Sequence, residues 1–83
     1  MNSLKTPIKS ICIVVYCKDN YILHGKINAQ GYDRFSDFYE DNNNLHMYDA
    51  EVKRKSLDGG IYSCLSSEYI CVPKENIIFC FPE

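Results

Sequence analysis

One short polar segment, Arg34 to Asp37, has residue types suited to ligand binding. The planar guanidinium of Arg34 presents a fork of donors that matches a phosphate or a carboxylate on a ligand or on a neighbouring subunit. A structural role competes with this one. Ser36 and Asp37 can accept bonds from the free N–H groups of a helix start, and Arg34 can pair with Asp37 three residues on. We take Arg34, Ser36 and Asp37 as candidate ligand- or partner-binding residues.

A second candidate surface combines the one basic run, residues 53–55, with tyrosines. Tyr48, Tyr62 and Tyr69 fall on neighbouring predicted strands, and aromatic rings beside Lys53 could stack bases while the cations contact phosphates. Three charges are few, and alternation along a strand divides them between two faces. A solvated strand end is therefore the competing interpretation.

The acidic residues and histidines of the sequence give little support to acid/base catalysis or metal binding. Asp49 and Glu51 lie on one face of a predicted strand, about 7 Å apart, but only Lys53 is expected beside them. His24 and His46 have no metal-ligand spacing to each other or to a cysteine. No nucleophile with its base can be assembled, so we predict a non-enzymatic protein with no catalytic residue, no metal and no cofactor.

The five cysteines are odd in number and contain no C-x-x-C spacing, which argues against a zinc site and a disulfide framework. Free cysteine in an apolar run behaves as a small hydrophobe in a reducing compartment. We predict this role for the four cysteines in or beside apolar runs, Cys12, Cys17, Cys71 and Cys80.

Length and charge limit the class of protein. Eighty-three residues form one domain, and the net charge of −2 disfavours broad nucleic-acid binding. The longest apolar run, residues 11–17, is too short for a membrane span of about 18–20 residues, and no signal peptide is recognisable. We expect a cytoplasmic protein. Seven tyrosines without a tryptophan indicate an interface, because tyrosine combines a large contact area with a polar tip.

Hydrophobic periodicity predicts the elements that position these residues. Residues 11–16 are apolar on both faces, which indicates an internal strand, and the alternating residues 21–27 should pair with it as a hairpin. Phe35, Phe38 and Tyr39 have helical spacing, so a short helix is predicted around 33–42, with Asp33 as N-cap, docked on the sheet through its rings.

The rest of the chain is predicted to be strands and turns. The strands are expected at 45–53, 61–65, 68–72 and 77–81. A bend or bulge is expected near Asp49, because both faces of that strand are partly apolar. Residues 61–72 form either two strands or one long bent strand, and residues 42–44 suit a helix exit because asparagine tolerates left-handed geometry.

These elements predict a mostly β fold. The architecture that fits best is a small, partly open β-barrel, SH3-like or Sm-like, of five to six short antiparallel strands with one helical insert around 33–42. Residues 1–9 form a flexible leader, and residues 10–83 form the single domain.

Several short motifs resemble those of a family of small bacterial proteins of unknown function. They are Gly25-Lys26-Ile27, Arg34-x-Ser36-Asp37-Phe38, Tyr48-Asp49-Ala50-Glu51-Val52 and Val72-Pro73-Lys74-Glu75-Asn76-Ile77-Ile78. The resemblance spans roughly residues 16–81, although Tyr39-Glu40 stands where that family usually has Leu-Asn. It implies an Sm-like or SH3-like barrel and supplies no catalytic residue.

The leading functional hypothesis is a binding or scaffold protein that self-associates as a homo-oligomer through the apolar last strand, 77–81, or another sheet edge. An alternative is a homo-oligomeric sensor or sequestering protein that holds a small anionic ligand, such as a nucleotide, in pockets lined by tyrosines and Arg34 or Lys53. Sm-like RNA binding is a third hypothesis. The host, a bacterium or a phage, stays open.

Overall fold

A computed structural model describes residues 9–83, which form five strands and one helix. The strands are β1 (Ser10–Cys17), β2 (Tyr21–Asn28), β3 (Asn44–Lys55), β4 (Ile61–Pro73) and β5 (Ile77–Pro82), and the helix is α1 (Phe35–Asp41). Single 3-10 turns at Lys18–Asn20 and Lys74–Asn76 follow β1 and β4. All the predicted elements are present, and the predicted leader, residues 1–9, lies outside the described residues except for Lys9.

The five strands form one antiparallel sheet in the order β4-β3-β2-β1-β5. The predicted hairpin of the first two strands is confirmed. Its turn holds Asp19 and Asn20 at φ of 65° and 67°, a left-handed conformation that these residue types tolerate. Within residues 9–83, β4 and β5 each pair on one side only, so the sheet is not closed and these two strands are its edges.

Strand β1 is internal, as predicted, and its middle, residues 13–15, is buried on both faces. Ile13 and Val15, both 0% exposed, lie on the inner face of the sheet, which packs on the core, and Val14 is buried on the opposite, outer face. The inner face and the helix share one core cluster, formed by Ile13, Val15, Cys17, Leu23, Ile27, Ala29, Phe38, Leu45, Met47, Ala50 and Val72.

Strand β3 bends where the alternation of its residues is ambiguous. Asp49 has φ +50°, and the register with β2 shifts between His24 and Lys26. This irregularity confirms the bend predicted near Asp49. It lets Met47 and Ala50, three residues apart, both lie in the core.

Strand β4 is one continuous strand of 13 residues, which settles the choice between one strand and two. Ser66 and Ser67 lie inside it, paired with Glu51 and Ala50 of β3. The pairing of β4 with β3 is irregular at Cys64, where the register shifts. The sheet therefore has five strands rather than six.

Helix α1 is docked by aromatic rings, as predicted, but its ends differ from the prediction. Phe38 is buried in the core, and its ring lies 6.2 Å from that of Phe35. The N-cap is Arg34 rather than Asp33, without a capping side chain. The exit at Asn42 has φ −110°, so left-handed geometry is not used, and its side-chain amide donates to the Phe38 carbonyl at 2.7 Å.

Candidate functional site

Within the segment Arg34 to Asp37, the Arg34 side chain binds Asp37. Nε and Nη2 of Arg34 each donate to the Asp37 carboxylate at 3.1 Å, and these bonds, with the carboxylate charge, raise the pKa of Arg34. The fork that would hold an external anion is therefore occupied by Asp37. Ser36 lies apart from this pair and lines a cavity of about 370 Å³ between α1 and Phe79 and Cys80 of β5.

Two of the candidate tyrosines come together on the outer face. Tyr48 and Tyr69 are directly opposite in the β3–β4 register, with ring centroids 5.5 Å apart. His46 stacks on Tyr69 at 5.8 Å, and its Nδ1 lies 2.5 Å from the Tyr69 hydroxyl. We call these three residues the aromatic patch. Sequence reasoning missed His46, although its spacing of two from Tyr48 placed both on one face of a strand.

The basic run divides between the two faces, as the competing interpretation held. Lys53 Nζ lies 3.7 Å from Glu51 Oε1 on the outer face. The Arg54 guanidinium instead lies over the Tyr21 ring, 5.1 Å from its centroid. Its charge is thus directed away from Lys53, and no continuous phosphate-binding surface forms at this end of β3.

Tyr62 does not join the aromatic patch. It pairs with Arg54 near the end of the β3–β4 hairpin, and seven residues of extended strand separate it from Tyr69, about 23 Å. The predicted site residues therefore occupy three separate places: the start of α1, the middle of the β3–β4 pair and the end of that hairpin.

The acidic residues of β3 and β4 line a shallow depression. Asp49, Glu51 and Glu68 border a cavity of about 420 Å³ together with Ser66 and Ser67. Lys26 lies 4.0 Å from Asp49, and Lys53 accompanies Glu51 as predicted. Within residues 9–83, no group of three His, Cys, Asp or Glu side chains could hold a metal ion.

The cysteines divide into two classes. Cys17 is buried and Cys80 is half-buried, and burial raises the pKa of both thiols. The prediction that four cysteines act as small hydrophobes is wrong for Cys12 and Cys71, which are exposed. Their strands are apolar on the inner face, but these two residues occupy the outer face, where alternation places them in solvent.

Exposed apolar side chains concentrate on the two edges of the sheet. Among residues 9–83, nine large hydrophobic residues are exposed, and seven of them lie on β4 or β5: Ile61, Tyr62, Leu65, Tyr69, Ile78, Phe79 and Phe81. On the outer face the rings of Phe79 and Phe81 stack with Tyr16, at 4.6 and 6.2 Å. We call these three residues the edge strip. The sequence alone predicted that the last strand is apolar. The contact of its phenylalanines with Tyr16 could be seen only from the register of β1 and β5.

No helix in residues 9–83 has the length and apolar character needed to cross a membrane. Comparison with known proteins adds no relative, since no protein-family model matches the chain and no curated sequence matches it significantly. The resemblance to a small bacterial family therefore stays a prediction, and the inference of function depends on the geometry described above.

Proposed function

We propose that this chain is a non-enzymatic binding or scaffold protein that self-associates through the free edges of its sheet. The observation that carries the proposal is the concentration of exposed large hydrophobics on β4 and β5. An edge strand presents unpaired N–H and C=O groups, and natural proteins cover or charge such edges. Pairing with another copy satisfies these groups and buries the apolar side chains in the same step.

The charges along the edges support this proposal. Strand β5 contains no charged residue, and Glu68 is the one charged residue among the 13 of β4. Charged side chains are the usual protection of an exposed edge, lysine above all. Neither edge carries a lysine, and the two strands together have one charged residue, so both edges have little charge to oppose pairing.

An SH3-like or Sm-like barrel is the architecture we propose for the subunit. Its support is the curvature of the sheet. Cys71 and Pro73, near the end of β4, line the same cavity as Tyr21 and Leu23 of β2, two strands away in the sheet order. Such an approach requires a sheet that curls over its own core, as small barrels do.

The aromatic patch favours a second candidate function, the binding of a planar ligand or of single-stranded RNA. Tyr48 and Tyr69 are 43% and 48% exposed, and exposed rings stack bases in a sequence-tolerant way. The cations weaken this candidate, because Arg34 and Lys53 are both paired with carboxylates. Co-purified material that absorbs near 260 nm, lost in Tyr69→Ala, would support it.

Native mass spectrometry and sedimentation velocity over a wide concentration range test self-association. We expect oligomers whose population rises with concentration, and a shift to monomer in Phe81→Lys or Leu65→Lys, which place a charge on β5 or β4. The matched control is Leu57→Lys. Leu57 is fully exposed in the loop between β3 and β4, away from the paired length of either edge.

The outcomes separate clearly. A wild-type chain that is monomeric at every concentration contradicts the proposal. Oligomers that persist in both edge variants show that another surface is used. Loss of oligomers in Leu57→Lys as well would point to a general charge effect rather than to the edges.

A further inference from the structure

The two edges of the sheet differ in how well they are protected against pairing. Strand β4 has an irregularity beside Cys64, carries Glu68 and ends in Pro73. Irregularities, charges and prolines are all devices that discourage an incoming strand. Strand β5 likewise has a register shift, beside Ile78, and ends in Pro82, but it carries no charged residue and its stretch Phe79–Phe81 is regular. Within residues 9–83, no strand pairs with the side of β5 that faces away from β1. The edge without a protecting charge is therefore β5.

Two residues of the edge strip, Phe79 and Phe81, lie on β5 next to its unpaired side. The rings of Phe79 and Phe81 are 6.2 Å apart and almost parallel, at 17°, and both stack on Tyr16. Phe79 is nevertheless 52% exposed and Phe81 42% exposed. Cross-strand aromatic pairs stabilise a sheet. A strand that added aromatic residues on the outer face would extend the stack and cover these rings.

A second copy of β5 supplies such residues, and the faces of the strand restrict the register. Phe79 and Phe81 lie on the outer face, opposite Tyr16 and Val14, whereas Cys80 lies on the inner face, opposite Val15. In a continuous antiparallel sheet, directly opposed residues share a face. A two-fold axis at Cys80 satisfies this condition over the stretch Phe79–Phe81 and places Phe79 opposite Phe81 of the second copy, in two symmetry-related pairs.

The neighbouring registers are less favourable. An axis at Phe81 also keeps the faces matched, but it places Phe79 opposite Glu83 of the second copy, so one phenylalanine pair forms instead of two. An axis at Phe79 fails, because the register shift next to Cys17 puts Ile77 on the inner face, where it would oppose Phe81 from the outer face. The register centred on Cys80 is the one that gives each of the four phenylalanine rings, Phe79 and Phe81 of both copies, an aromatic partner across the interface.

On the basis of the proposed self-association, we propose that two copies of this chain pair their β5 strands antiparallel about a two-fold axis at Cys80. The two five-stranded sheets then form one sheet of ten strands. The interface is isologous, so each contact occurs twice. Because Ile77–Pro82 has no charged side chain, two identical edges meet without like-charge repulsion. The edge strips of the two copies become one continuous aromatic surface.

Cysteine cross-linking tests the register directly. Opposed Cα atoms in an antiparallel pair are about 4.5–5.5 Å apart, within the range of a disulfide. The test protein carries Cys12→Ser, Cys17→Ala, Cys64→Ser and Cys71→Ser, which leaves Cys80. The control carries Cys12→Ser, Cys17→Ala, Cys64→Ser and Cys80→Ala, which leaves Cys71. Cys71 is exposed on β4, so it is the more reactive thiol for random collisions.

Both proteins are oxidised by copper phenanthroline with oxygen, which accepts the two electrons of each new disulfide, and dimer formation is followed on non-reducing gels. We expect Cys80 to cross-link about tenfold faster or more, because thiols held in a complex have an effective concentration in the millimolar range. Adding Phe81→Lys should remove this advantage, and adding Leu57→Lys should not. Circular dichroism verifies that each variant is folded.

Each result decides a separate point. If the chain self-associates while Cys71 cross-links as fast as Cys80, the β5 pairing is overturned and the proposed function stands. If native mass spectrometry shows a complex with a different protein or peptide, and Phe81→Lys abolishes that complex, the second copy is the wrong partner. A chain that never self-associates contradicts both proposals.

Discussion

Gly25 on β2 and Ala50 on β3 lie so close that a side chain at Gly25 would collide with its neighbour. A Cβ built on Gly25 would be 3.1 Å from both Cα and Cβ of Ala50 and 3.0 Å from Cε of Met47. This approach occurs where the β2–β3 register shifts and Asp49 adopts φ +50°. The bend of β3 therefore leaves little room for a side chain at position 25.

Substituting Gly25 should destabilise the fold. We expect Gly25→Ala to cost about 1–3 kcal/mol of unfolding free energy, because the added methyl meets backbone that cannot move without opening the bend. Urea denaturation measures the change. The control is Gly60→Ala, where the nearest atoms are side-chain oxygens of Asp58 and Ser56, at 3.3 and 3.4 Å, which can rotate away. Equal costs at both glycines would contradict the close-packing argument.

Removing a core side chain should unfold much of the protein. Leu45 is 1% exposed in the core cluster, so Leu45→Ala should lose about 2–5 kcal/mol. A core of this size supplies only about 3–5 kcal/mol of net stability. The thermal transition should shift strongly downwards or disappear. Leu57→Ala, at a fully exposed position, should change stability by less than about 0.5 kcal/mol.

The loop between β3 and β4 should make stability depend on acid pH. Asp58 accepts bonds from the Ser56 hydroxyl and the Gly60 N–H, and these bonds lower the pKa of its carboxyl. A carboxyl with a depressed folded pKa stabilises the fold above its unfolded pKa, near 3.8, and this contribution is lost as the pH falls through the folded pKa.

Asp58→Ala measures this contribution. The stability difference between wild type and variant should be constant near neutral pH and should shrink below about pH 4. Chemical denaturation at several pH values follows it. Because Asp58 is exposed, we expect a small effect. A difference that grows on acidification would show that the carboxylate does not stabilise the loop.

Thiol labelling should distinguish the two classes of cysteine. Cys12, Cys64 and Cys71 are exposed and should react with iodoacetamide in the native protein. Cys17 and Cys80 should react slowly, because burial both shields them and raises the pKa of their thiols. Mass spectrometry should therefore show three modifications early and five only after unfolding. Early labelling of Cys17 would contradict its position in the core.

Much of the fold could be predicted from local sequence patterns. The apolar run that became β1, the alternation of β2 and the aromatic spacing of α1 are all short-range signals, and each identified its element. The start of α1 could not be predicted in the same way. Asp33 is a good capping residue by type, yet the chain enters the helix at Arg34 without a side-chain cap, because docking of Phe38 in the core sets where the helix lies.

The candidate site was less predictable, because it depends on which strands lie side by side. The sequence by itself determined that Tyr48, Tyr69, Phe79 and Phe81 lie on strands and which residues alternate with them. Only the tertiary structure decided that Tyr48 meets Tyr69, that Phe79 and Phe81 stack on Tyr16, and that β4 and β5 are edges. Alternation is set by the geometry of a single strand, whereas register and edge position arise from bends and turns elsewhere in the chain.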